Sequence, residues 1–225
     1  MTKLSSKEIG RLISSMKSKN YKINTRPFEL NMVGVRNKTS VPNKFDDTLN
    51  FFYKNDANQW EGYSAPATTD PGTYFLNKPL STLGAAILKE GQYVDSYGIG
   101  PHRKKYEAMV QKKPVPVYRD YNRDAVLDFN NGREETGLFG INIHKAGAES
   151  DVVDNWSAGC QVFQKTADFE EFMNLARKHK SLYGNTFTYT LLDNRAYVRG
   201  ILRRTMYVAL AGLVVFGAYK LYQKL

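Results

Sequence analysis

One thiol, Cys160, and three imidazoles, His102, His144 and His179, are the side chains of this 225-residue chain best suited to nucleophilic chemistry. A thiol becomes an effective nucleophile when a neighbouring imidazole takes its proton or stabilises the thiolate. The segment GINIHKAGAESDVVDNWSAGCQVF, residues 140–163, sets His144 and Cys160 on either side of a polar loop. Leu138, Phe139, Ile141 and Ile143 read as a strand ending at His144. Ser157-Ala158-Gly159-Cys160 reads as a tight turn running into Val162 and Phe163. Small residues ahead of the thiol let the backbone amides face a substrate carbonyl, where one oxyanion donor is worth ~3 kcal/mol. A lone cysteine is either a small buried hydrophobe or a working thiol, and these neighbours favour the thiol. His179 falls near the end of a predicted helix, where a cation is favoured by the dipole. His102 lies in the basic run GPHRKK and reads as solvated or near the mouth of the site.

The elements that must position these groups are legible in outline. FELNMVGVR, TLNFFYK, GTYFL, VPVYR and TFTYTLLD are short, aromatic or β-branched, and separated by Asn, Asp, Gly and Pro, which predicts strands and turns. TADFEEFMNLARKHK predicts a helix, with Thr166 as its cap and Phe169, Phe172, Met173 and Ala176 as its apolar stripe. Gly184 is a plausible stop. Residues 27–200 thus form one β-rich α+β domain with one or two helices. Residues 1–26 form an arm whose amphipathic helix carries Ile9, Leu12, Ile13 and Met16 on one face. At the other end, TMYVALAGLVVFGAYKLYQKL is apolar around its whole circumference and flanked by Arg203, Arg204, Lys220 and Lys224. It predicts a membrane-spanning helix over residues 203–223, with a lipid bilayer as partner.

A net charge of +10 favours anionic partners such as phospholipid, nucleic acid or an acidic wall polymer. No aromatic RNA-binding signature or zinc-finger spacing accompanies it, so no specific nucleic acid is expected. Asp120, Asn122, Asp124 and Asp128 have the 1, 3, 5, 9 spacing of a calcium loop. Ala125 stands where that loop needs glycine and Asn131 where it needs glutamate, so a plain turn competes with a structural Ca²⁺ site. Trp156, immediately before the turn, is the best candidate for a wall of the site.

A strand-terminal His, a loop and a Ser-Ala-Gly-Cys turn resemble the catalytic domain of the L,D-transpeptidases (YkuD type), over roughly residues 65–195. The resemblance implies an L,D-transpeptidase-like mixed β sandwich or sheet, with Cys160 as nucleophile and His144 as base. It assigns the Gly159 and Cys160 amides to the oxyanion hole and Ser157 to support of the turn. Peptidoglycan stem peptides are the implied substrate, with no cofactor required. The sequence departs from the family pattern twice. Ala158 replaces a His, and Gln161 and Val162 follow the Cys where Arg or Asn is usual. Recognition of a substrate carboxylate then falls to Lys145, Arg103 or Arg133. A wall enzyme without an export signal but with a terminal anchor also suggests delivery in the membrane of a bacteriophage particle. A virion or wall-binding module without activity is the alternative.

Overall fold

Aromatic and β-branched runs pack well on pleated surfaces, and most of those named above form strands. The computed structural model describes residues 1–37, 41–129, 132–147 and 150–193. The chain opens with β1 (Thr2–Lys3), α1 (Ser6–Ser18), β2 (Asn31–Arg36), β3 (Asp47–Lys54) and β4 (Trp60–Thr68). A short helix α2 (Thr73–Asn77) leads to β5 (Ala85–Leu88), β6 (Gly91–His102), β7 (Tyr106–Gln111) and β8 (Val115–Asp120). Then come β9 (Glu134–Gly137), β10 (Ile143–Lys145), β11 (Gln161–Phe163), α3 (Thr166–Tyr183) and β12 (Phe187–Asp193).

A nine-stranded mixed sheet runs β1-β4-β11-β10-β7-β6-β12-β2-β3, and β3 also pairs with β4, so the sheet closes on itself. Only β10 with β11 and β12 with β2 are parallel; the other pairings are antiparallel. A second sheet, β5-β8-β9, stands beside it. The fold is therefore β-rich α+β.

Successive strand residues face opposite sides, and both sides of β3 are covered. Phe51 stacks on Phe163 and on Phe172 of α3, while Phe52 joins Ile9, Leu12 and Met16 of α1. Fully burying one such side chain is worth about 1.5–3 kcal/mol. The predicted stripe of α3 is buried as expected. Helix α1 starts with a reciprocal cap, in which Ser5 Oγ accepts the Glu8 amide and the Glu8 carboxylate accepts the Ser5 amide. The amphipathic face thus packs on the sheet rather than fraying.

Four expectations are corrected. GTYFL is not a strand: Phe75 and Leu76 donate to the Gly72 carbonyl and wind it into α2, giving three helices among the described residues. The strand before His144 shrinks to Ile143–Lys145, because the amides of Phe139 and Ile141 bond to Gln111 Oε1 instead of a ladder. Lys165 occupies the cap position of α3, and the Thr166 hydroxyl donates to the Gly147 carbonyl at 2.7 Å. His179 is no dipole-bound cation. It is buried, with Nδ1 accepting from the Leu30 amide at 2.9 Å and Nε2 facing the Thr186 carbonyl at 3.2 Å. The apolar segment 203–223 lies outside the described residues. Among the described residues no helix is long and apolar enough to cross a membrane.

Candidate functional site

Parallel pairing of β10 with β11 sets His144 opposite Val162 and Ile143 opposite Gln161. The Gln161 amide donates to the Asn142 carbonyl at 2.9 Å, so Cys160 enters its strand beside Asn142, just ahead of His144. Of the two groups singled out by residue type, His144 is therefore on β10 and Cys160 immediately ahead of the adjacent β11. Cys160 is half-buried, and its thiol donates to the Gly140 carbonyl at 3.4 Å. It lines a cavity of about 410 Å³ together with His102, Arg103, Arg119, Phe139 and Trp156.

The turn holds its own shape. Ser157 Oγ donates to the Cys160 carbonyl at 2.8 Å and accepts the Gly159 amide at 3.1 Å. Gly159 has φ 123°, and a Cβ there would stand 2.2 Å from the Ala86 carbonyl oxygen. Only glycine fits both the backbone angle and the close approach. Behind the turn, the Gly72 amide donates to the Ser157 carbonyl at 2.9 Å. Buried Gln161 accepts the Tyr189 hydroxyl at 2.8 Å and donates to the Thr69 carbonyl at 3.3 Å. Thr69 is in turn fixed by Asp47, which accepts its amide and its hydroxyl at 2.7 Å, and by buried Arg36.

Charge is disfavoured in this pocket. Burial pushes the thiol of half-buried Cys160 up, while the Asn142 backbone amide and Arg103 oppose the rise. Burial, followed by the neighbouring His102 and Arg103, drives His144 down to about 3, with the Lys145 carbonyl opposing the fall. At rest the site thus holds a neutral thiol and a neutral imidazole, carried by neighbouring segments of the sheet.

Hydrogen-bond partners fix the imidazole tautomers. His144 Nδ1 lies 2.9 Å from the Lys145 carbonyl, which can only accept, so Nδ1 carries the proton and Nε2 keeps its lone pair. The His102 ring stacks on that of His144, with centroids 4.2 Å apart. Its place on the cavity wall agrees with a position near the mouth of the site, whereas its stacking on His144 could not be read from residue type. His102 is buried, not solvated: at the end of β6 it packs against the Tyr106 and His144 rings. Alternation from Tyr97 and Ile99 would put Pro101 inside and His102 outside, and the structure breaks that pattern at the strand end.

Other predicted residues divide between the cavity and elsewhere. Trp156, Ala158 and Arg103 lie on its wall. Lys145 does not; its ammonium pairs with Glu170 at 2.7 Å above the Tyr106 and Phe169 rings. Arg133 sits over the Tyr121 ring. In the loop of Asp120, Asn122, Asp124 and Asp128, the Asn122 amide donates to Asp124 at 3.0 Å and to Asp128 at 2.8 Å. Among the described residues no cluster of three or more His, Cys, Asp or Glu could hold a metal ion.

Compared with known proteins, the chain matches no family model, no curated protein and no solved structure.

Proposed function

We propose that this protein is a thiol acyl-transfer enzyme of the L,D-transpeptidase type, acting on peptidoglycan stem peptides. The reading rests chiefly on a half-buried cysteine that lines a cavity and stands immediately ahead of β11, the strand beside the one that carries His144, whose Nε2 is left with its lone pair. Cys160 attacks an amide carbonyl next to a diaminopimelate residue as its proton passes to His144 Nε2. The sulfur–carbon bond forms, the carbonyl pair moves to oxygen, and collapse expels the amine, which takes the proton back. An amine then resolves the thioester to form a crosslink, or water resolves it in a carboxypeptidase or endopeptidase reaction. Arg103, on the cavity wall, is the cation placed to meet a substrate carboxylate.

In this reading the apolar segment 203–223 anchors the enzyme in a membrane. Delivery inside a lipid-containing virus particle would account for wall access. A wall-binding or structural virion module is the second reading, favoured by the neutral thiol and the strongly depressed His144.

Full-length detergent-solubilised protein incubated with tetrapeptide muropeptides separates the two. The enzyme reading expects a crosslinked or trimmed product that Cys160→Ala does not form. Wall-polymer binding by both proteins with no product from either leaves the module.

A further inference from the structure

The expected oxyanion hole is one donor short. Its two backbone donors were to be the amides of Gly159 and Cys160, yet the Gly159 amide is already given to Ser157 Oγ at 3.1 Å. A tetrahedral oxyanion gains most from at least two preorganised donors, and losing one costs about 10²–10³ in rate. Some other group at this cavity has to face the developing charge.

The side chains around Asn142 identify it. Asn142 Oδ1 accepts the Gln111 amide at 2.9 Å, which fixes the orientation of the carboxamide. Asn142 Nδ2 therefore faces His102 Nδ1, 3.1 Å away, and donates to it. With Nδ1 accepting, the proton of neutral His102 resides on Nε2. His102 thus has the opposite tautomer to the His144 it stacks on, whose proton is on Nδ1. One ring of the pair has a lone pair to give and the other an N–H. Only His102 of the two forms part of the cavity wall shared with Cys160.

We infer that His102 is a second catalytic imidazole, whose Nε2–H donates to the substrate oxygen as Cys160 attacks and takes the place of the spent Gly159 amide. No proton is transferred by His102 in this step. The thiol proton goes to His144, the carbonyl pair goes to oxygen, and His102 only hydrogen-bonds the resulting oxyanion. Stacking at 4.2 Å also requires that His102 stay neutral while His144 is protonated, since two cations at that separation repel. Asn142 is the positioning residue that holds the tautomer.

This division of labour rests on Cys160 and His144 forming the acyl-transfer pair proposed above, and its test does not need the wall substrate. Two reagents distinguish the roles. 4-Nitrophenyl acetate acylates the thiol through an oxyanion, whereas iodoacetamide alkylates it by displacement with no oxyanion. In full-length protein, His102→Phe keeps a stacking ring but no donor, and should slow acylation about 10²-fold while alkylation changes by no more than about twofold. His102→Gln restores an N–H and should recover most of the acylation rate. His144→Ala should slow both reactions. Loss of both reactions in His102→Phe, with no rescue by His102→Gln, overturns the inference and makes His102 a base or a structural residue. Unchanged acylation in His102→Phe overturns it equally. Acylation that behaves as expected while muropeptides are left untouched would refute the peptidoglycan reading and leave the role of His102 standing.

Discussion

His179 and the His144–His102 pair are built from the same side chain under the same burial, yet they are engaged differently. Both nitrogens of His179 have backbone partners, the Leu30 amide and the Thr186 carbonyl. It ties α3 to the sheet and has nothing left to offer a ligand. His144 and His102 each commit Nδ1, to the Lys145 carbonyl and the Asn142 carboxamide, and leave Nε2 without a hydrogen bond to any described residue. A saturated imidazole is a fastener. A half-used one has a direction and a defined role, either donor or acceptor. Burial lowers all three below the ordinary 6.5, so depressed basicity does not separate them. The hydrogen-bond ledger does.

The largest effect expected from this contrast is on rate. His144→Ala should slow acylation of Cys160 by 4-nitrophenyl acetate about 10³-fold, or roughly 4 kcal/mol of barrier, whereas His179→Ala should leave it unchanged. Equal losses at the two positions would erase the distinction. Next comes the turn that presents the thiol. Gly159→Ala forces a side chain onto φ 123° and against the Ala86 carbonyl, and should cost about 3 kcal/mol in urea unfolding. His179→Ala should cost about 1–3 kcal/mol, because the buried Leu30 amide loses its acceptor. Ser157→Ala should cost about 1 kcal/mol through its bonds to Cys160 and Gly159. It would also free the Gly159 amide, so acylation in Ser157→Ala should depend less on His102 than in the native protein.

Acidification tests the same contrast through stability. A buried imidazole with a lowered pKa contributes stability that is intact above 6.5 and lost as pH falls through the folded value, about 3 for His144. Native protein should therefore lose stability relative to His144→Gln across that interval. Asp47 works in the other direction. Burial, then the neighbouring Asp70, holds its carboxyl up at about 7, so its contribution is full below 3.8 and fades as pH rises toward 7. Subtracting the His144→Gln profile from the native profile cancels the Asp47 contribution. A difference that is flat from 6.5 down to 3 would show His144 not to be held neutral by the fold.

Residue type and spacing determined much about this protein. Phe, Tyr, Val and Ile runs marked β2, β3, β8 and β12, because such side chains favour a pleated surface wherever it lies. The apolar stripe of α3 followed from helical period alone. Cys160 and His144 could be picked out because the chain has one thiol and few imidazoles, and short-range sequence already set them on either side of one loop. GTYFL failed because a five-residue run with three aromatic or apolar side chains fits a strand or a helical turn equally, and the Gly72 carbonyl chose the turn. Local partners set the His144 tautomer, through the Lys145 carbonyl, and used the Gly159 amide, through Ser157. Tertiary structure decided the rest: His102 and Gln111 reach Asn142 from β6 and β7, and Tyr189 reaches Gln161 from β12. Those partners are distant in sequence, and the His102 tautomer is set by the donor that packing brings within 3 Å or so. Sequence supplied the nitrogens and the sulfur; packing decided which of them were left unused.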